Sequence, residues 1–373
     1  MRWRVERAVL ASGRSTRLIV DDEDYEPHPE ALEFVFALQA ADRSPNTLKA
    51  YLGPIARFLT WCAGEGVDWR TVNLLHVTRF KHAVQDTPTR TGLPPNDSSV
   101  SLALTAVCEF LRYCAAAGHI DPAVAQRLVE QKWIRSGGRA GAGENGQFRR
   151  VRVNALRVNT TEQRPEILSD NQVSAMREAA STARDRFLLR LLHEGGPRIG
   201  EGLGMRLEDV HLLPDSSSLG CGLRGAHFHV VRRADNDNGA LAKSLRSRNV
   251  PVVEAFVTDY RDYRYERSTR IAEDTSAYVF VNYEGPDAGR PMTYSNVYKL
   301  IHRLGRRCGF PATPHMFRHT AATAWVEGGA EADVVQELLG HASPKSTAIY
   351  LHPAQQRMRE AVRRVHTARS VDP

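Results

Sequence analysis

The 373-residue chain is poor in cysteine, with five residues (Cys62, Cys108, Cys114, Cys221 and Cys308) that are scattered and form no Cys-x-x-Cys pair. That usage argues against a disulfide framework or a zinc knuckle and fits a reducing compartment. No apolar run approaches the roughly 20 residues needed to span a bilayer, so no membrane segment is expected. The charged opening, Met1 to Arg7, lacks the apolar stretch of a signal peptide, and a cytoplasmic protein is expected. Phosphate-cradling loops are missing too. No Gly-Lys-Ser/Thr follows a glycine cluster, and Gly200-x-Gly202-x-Gly204 follows a helical pattern rather than a strand. There is no Gly-x-Ser-x-Gly elbow. His315 and His319 have a four-residue spacing that can bind zinc, but Met316 stands where a zinc hydrolase needs Glu. Neither a metal nor a cofactor is expected.

What is present is ordinary for a globular protein: 42% hydrophobic and 25% charged residues, over a length that suggests two or three domains. The formal net charge of +7 fits an anionic partner, although mild basicity alone identifies none.

Residues 1–27 read as an extended arm or short hairpin ending in the acidic run Asp21 to Asp24. Residues 28–134 are helical in pattern. Ser44-Pro45 supplies an N-cap and a proline at the first helical position, and Leu48, Leu52, Ile55, Phe58, Leu59 and Cys62 follow at helical spacing. Arg43, Asn46 and Lys49 offer a polar face at the start of that helix. Residues 135–164 hold five glycines and seven arginines against two glutamates, a basic flexible linker. The excess charge suits a segment lying along phosphates.

Residues 165–355 open with a capping box, Ser169 to Gln172, and mix helices with a little sheet. Strands are expected around Phe228–Val231, Val250–Val253 and Tyr278–Val281. Helices are expected over Thr293–Arg306, Met316–Val326 and Ala332–Leu339, with another begun at Ser343-Pro344. Residues 356–373 continue an amphipathic basic helix with Met358, Ala361, Val362 and Val365 as its stripe. Arg198 follows a glycine stop and precedes Glu201 by one turn. Lys243, Arg246 and Arg248 crowd the stretch between two strands, and His315 and Arg318 share one helix face. His341 follows the Gly340 cap, and Tyr350 comes nine residues later.

Taken together these segments resemble the tyrosine recombinase (phage integrase) family, and transposon-encoded or Xer-like members within it. Gly196-Pro197-Arg198-Ile199-Gly200-Glu201 is similar to its first arginine box, with Pro197 where a leucine-like residue is usual. Pro314-His315-Met316-Phe317-Arg318-His319-Thr320 resembles its His-x-x-Arg box, and Leu338-Leu339-Gly340-His341 through Tyr350 its terminal box. The resemblance implies a mainly α fold with a small antiparallel β-sheet. An N-terminal helical core-binding (SAM-like) domain would precede a C-terminal α+β catalytic domain. It implies a site-specific recombinase that cuts and rejoins DNA through a covalent 3′-phosphotyrosyl intermediate and a Holliday junction, without cofactor or metal.

In that chemistry Arg198, Arg318 and His341 would hold the phosphate and Tyr350 would attack it. His315 would take the phenol's proton, Lys243 would protonate the leaving 5′-oxygen, and Glu201 would orient Arg198 or His315. Arg43, Asn46, Lys49, Arg246 and Arg248 would contact DNA. Double-stranded DNA, a homotetramer on two DNA sites coupled by the C-terminal helix, and accessory recombination proteins are the expected partners, at the nucleoid. Two readings remain beside this one. One is a type IB topoisomerase-like relaxase, and the other a non-catalytic DNA-binding regulator.

Overall fold

The computed structural model describes residues 1–9, 13, 15–41, 43–89, 92–135, 148–154, 165–233, 235–242, 244 and 247–350. Lys243, Arg246 and the C-terminal basic segment 356–373 lie outside the described residues. The chain divides into two units, Met1–Glu162 and Gln163–Pro373.

The first unit opens with an antiparallel hairpin, β1 (Trp3–Val9) and β2 (Ser15–Asp21). It is not a free arm: Leu18, Ile19 and Val20 are buried in the same core as the helices that follow. These are α1 (Pro29–Ala40), α2 (Pro45–Gly64), α3 (Leu74–Asp86), α4 (Asp97–Ala116) and the short α5 (Pro122–Arg127). Ser44 caps α2 as its sequence announces, its side chain accepting from the Thr47 N–H, a contact that typically contributes about 1 kcal/mol. Helix α4 corrects the expectation about apolar runs. By length and composition it is long and apolar enough to cross a bilayer, yet half of it is buried, with Val100, Leu104, Val107 and Leu111 in the core. The stretch expected to be a basic flexible linker, 135–164, contains a strand: β4 (Phe148–Asn154) pairs antiparallel with β3 (Val129–Arg135), which ends at the stretch's first residue. Residues 136–147 and 155–164 lie outside the described residues.

The second unit has its own core around Phe187, Phe228, Phe256, Tyr263 and Phe280. Helices α6 (Asp170–Ala179), α7 (Ala183–Glu194) and α8 (Ile199–Leu203) lead into a three-stranded antiparallel sheet. Its order is β5 (Val210–His211), β6 (His227–Val230), β7 (Arg248–Pro251). Then follow α9 (Glu254–Arg270), α10 (Tyr294–Arg307), α11 (Pro314–Glu327), α12 (Ala332–Leu339) and α13 (Lys345–Ala348). The strand expected at Tyr278–Val281 makes only isolated bridges, Arg206 to Tyr278 and Val281 to Pro291, and the third strand of the sheet is β5 instead. The buried Arg267 of α9 takes up two backbone acceptors of that segment, the Tyr278 and Val279 carbonyls. It donates to the carbonyls of Ser276 (2.9 Å) and Tyr278 (2.6 Å) and pairs with Asp274. Those carbonyls are therefore satisfied by a side chain and need no ladder.

Candidate active site

Helix α7 ends at Gly195-Gly196, and both glycines are required by what packs there. A Cβ on Gly195 would lie 2.7 Å from the Phe228 ring. Gly196 has φ +56°, and a Cβ on it would press on Trp325 and Ala321. This close approach brings the Gly196 carbonyl within 2.7 Å of Arg318 Nη1, which donates to it. Arg318 Nη2 donates to the Leu339 carbonyl at 2.6 Å, so one buried guanidinium ties the ends of α7 and α12 to α11. Arg198 stands at the N-cap of α8, where the chain turns out of the glycine stop.

Glu201 is buried and accepts from three donors. The Arg198 backbone N–H (2.9 Å) and Arg248 Nη2 (2.7 Å) reach one carboxylate oxygen, and Arg198 Nη1 (3.1 Å) reaches the other. Arg318 Nη1 lies 3.8 Å away. Burial works to raise the Glu201 pKa, but the bond from Arg248 and the fields of Arg248 and Arg318 outweigh it, so the carboxyl is held below its ordinary range. Arg318 is pushed down to about 9 by burial and by the repulsion of Arg198 and Arg248, and it stays charged at neutral pH.

Arg248, expected among the DNA contacts, lies at this cluster. Its side chain is 1% exposed. Besides Glu201 it donates to the Leu338 carbonyl (2.8 Å), and its buried Nη1 has no partner. A Cβ on Gly340 would lie 2.6 Å from that Nη1, and Gly340 adopts the left-handed φ of +62°. The glycine therefore caps α12 and also makes room for Arg248.

The expected nucleophile enters the same unit's pocket. Tyr350, 8% exposed, follows α13 by one turn, its N–H donating to the Thr347 carbonyl. Its hydroxyl lies 2.7 Å from Nδ1 of His319. His319 is pushed down to about 4 by burial, by His315 and by Arg318, so near neutral pH it is uncharged. Burial raises the Tyr350 pKa, opposed by the fields of Arg318 and Arg198. His315, expected to be the base, is exposed beside Pro314 at the start of α11, its ring edge-on to His319 at 4.2 Å. Desolvation, Arg318 and Arg198 lower its pKa. His341 Nδ1 is 2.9 Å from the Thr347 hydroxyl, and its ring stacks on Tyr350 at 6.5 Å. Its pKa falls to about 4, through burial and the nearby arginines Arg318, Arg198 and Arg248.

A cleft of about 480 Å³ opens here, lined among others by Arg198, Arg248, Gly340, His341 and Ser346. Beside it, the polar turn before position 243 is pinned. Asn238 donates to the carbonyls of Leu203 (3.0 Å) and Met292 (2.8 Å), and Asn236 to that of Ala240 (2.8 Å). Gly200 lets this segment close in, since a Cβ there would meet the Leu241 carbonyl at 2.8 Å. Arg198 and His341 line this cleft, Glu201 bonds Arg198 and lies 3.8 Å from Arg318, and Tyr350 meets His319, whose ring contacts His315. His319 belongs to the same cluster and was not singled out for it from sequence. Arg43, Asn46 and Lys49 are exposed around the start of α2.

Residues 166–357 match the phage integrase family. The chain belongs to that family. As a tyrosine recombinase it is an enzyme of DNA recombination and integration. It is 27% identical over 348 residues to transposase A from transposon Tn554 of Staphylococcus aureus, covering 91% of each chain. It is 30% identical over 210 residues to the tyrosine recombinase XerD of Corynebacterium glutamicum, covering 54% of this chain and 62% of that one. Among solved structures the fold is similar to XerH bound to a palindromic difH substrate (TM-score 0.57, 16% identity, 92% of this chain and 90% of that one). It is also similar to a lambda integrase dimer bound to a core site (TM-score 0.57, 14% identity, 88% and 96%).

Proposed function

We propose that this recombinase cleaves and rejoins DNA strands at specific sites, through a 3′-phosphotyrosyl bond to Tyr350 and a Holliday junction. The observation that carries this reading is the phenol hydroxyl 2.7 Å from a neutral imidazole, within the fields of Arg318 and Arg198. Attack of the Tyr350 oxygen on phosphorus breaks the bond to the 5′-oxygen. The phenol proton passes to His319, and Lys243 supplies a proton to the departing oxygen. Arg198, Arg318, His315 and His341 hold the non-bridging oxygens as charge accumulates there, and each such donor commonly contributes about 3–4 kcal/mol. A Thr347 hydroxyl donating to His341 Nδ1 leaves its Nε2–H to point at phosphate. Arg248 acts through Glu201 as a positioning residue.

Around this chemistry we place the first unit as the core-binding (SAM-like) domain, with Arg43, Asn46 and Lys49 on DNA and Arg246 near the scissile phosphate. The assembly is a homotetramer on two double-stranded sites, joined by accessory proteins, at work in the cytoplasm on the nucleoid. DNA-bound structures of similar fold support duplex DNA as the partner.

The test uses nicked suicide duplexes drawn from the DNA flanking the protein's own gene. Site-dependent covalent adducts, with recombinant product when a second site is added, are expected. Relaxation of any supercoiled plasmid without site preference would favour a topoisomerase-like relaxase, and binding without cleavage would favour a regulator.

A further inference from the structure

We propose that the second unit carries a structural zinc site, made by His211, Cys221, His227 and His229. This site is separate from the catalytic pocket and does not rest on the functional reading above.

The strand pairing assembles the four donors. Antiparallel β5 and β6 place His211 directly opposite His227. His227 and His229, two apart on a strand, face the same side, while Phe228 between them turns into the core. Cys221 arrives from the connecting loop. That loop turns at the left-handed Gly220 (φ +77°), is closed by a bridge between Asp215 and Arg224, and is held by the Cys221 N–H donating to Ser216. The four donor atoms lie within 4.8 Å of one another. The Cys221 Sγ stands 3.3 Å from His227 Nε2 and 3.5 Å from His229 Nε2, and the two Nε2 atoms are 3.2 Å apart. A tetrahedral zinc with nitrogen ligands at about 2.0–2.1 Å and sulfur at about 2.3 Å separates its ligands by roughly 3.3–3.6 Å.

The hydrogen bonds outside the cluster point the same way. His227 Nδ1 lies 2.7 Å from the Gly225 carbonyl and His211 Nε2 lies 3.0 Å from the Glu208 carbonyl. A carbonyl can only accept, so each ring spends its proton outward and turns a bare lone pair inward. That is how ligating imidazoles are oriented. His211 is 7% exposed, and its inward Nδ1 is buried with no partner. A buried acceptor left unmatched among other lone pairs is unfavourable unless a cation sits between them. Three neutral imidazoles and one thiolate carry one negative charge, and this borderline-soft donor set suits zinc over magnesium or calcium. Four protein ligands leave no open position, so the metal would be structural.

It would also matter to the site at a distance. Val230 of β6 pairs with Arg248 of β7, and Arg248 bonds Glu201. The metal would therefore clamp one end of the ladder whose other end holds the guanidinium cluster. The scattered cysteines concealed this, because the cluster uses one cysteine and takes its remaining ligands from strand register.

The test is made on the full-length protein, purified in reductant, stripped with a chelator and titrated with zinc alone, then with cobalt(II). One equivalent of zinc should bind and raise the unfolding midpoint by roughly 10 °C at saturating metal. Cobalt should give a tetrahedral visible spectrum with a near-ultraviolet thiolate-to-cobalt band. Cys221→Ser should remove that band and weaken zinc binding by about a hundredfold or more, while Cys308→Ser leaves both intact. If Cys221→Ser fails to fold, the wild-type cobalt spectrum and the Cys308→Ser control decide the matter. The proposal is overturned if the stripped wild type binds no stoichiometric zinc and its midpoint does not respond to it. Zinc uptake that shows no thiolate band with cobalt also overturns it.

Discussion

Glu201 accepts from Arg198 and Arg248 and lies 3.8 Å from Arg318, so cancelling its charge leaves buried guanidiniums facing one another. Removing one partner of a buried pair typically costs about 3–5 kcal/mol. Glu201→Gln should lower stability by that order in denaturant titrations, and Arg248→Met should be partly rescued in the Glu201→Gln background. Simple additivity of the two would show that they do not act together. His319→Ala should slow covalent cleavage by about 10²-fold or more with DNA affinity preserved, as expected for loss of a proton acceptor. Because His319 titrates at about 4, the second-order cleavage rate of the free enzyme should show no break near pH 6.5 on the acid side. The same depression has a sign for stability. The unfolded imidazoles of His319 and His341 take up protons below about 6.5, whereas the folded ones resist until about 4. Stability is therefore retained above 6.5 and lost as pH falls through that window, which thermal melts at pH 7 and pH 5 will register.

At this scale much of the pocket was legible, since arginine boxes and a terminal tyrosine are spaced as the chemistry demands. The imidazole that meets the phenol was not. His315 and His319 share a helix face, and only the fold of the chain out to Tyr350 decides which ring meets the phenol. The burial of Arg248 was not legible either, because it ends a run of basic residues. Its alternation with Val250, both inward on β7, was the available signal.

Among the elements, the helices with an apolar stripe stand close to where their periodicity puts them, α10 and α12 among them. Helix α9 is a different case. Its inward residues Phe256, Tyr260, Tyr263 and Arg267 do follow helical spacing, but one of them is an arginine and charged residues surround them, so the pattern announces the helix only weakly. The segment Tyr278–Val281 shows the converse, with strand-like residues of which two carbonyls, Tyr278 and Val279, are taken by Arg267. Gly340 joins an element to the site. Gly340→Ala should strain the left-handed cap and press on Arg248, lowering stability by about 1–2 kcal/mol or more and reducing cleavage. An unchanged melting curve would show that this cap does not constrain the chain.

For the whole molecule, the two units raise separate expectations. Arg43 and Lys49 are exposed on the first unit, so Arg43→Glu with Lys49→Glu should leave the fold intact. DNA binding should weaken across sequences, and the salt dependence should fall by about one ion for each phosphate that is no longer neutralised. If affinity and salt slope are unchanged, this face does not meet the duplex. The central claim concerns the second unit, that Tyr350 makes the covalent bond from within its own pocket. The most direct measurement is proteolysis of the DNA adduct formed on a suicide duplex, with mass determination of the peptide that carries the nucleotide. The nucleotide should sit on Tyr350, and Tyr350→Phe should bind the duplex with near wild-type affinity yet form no adduct. An adduct on another residue, or one that persists in Tyr350→Phe, would contradict the account.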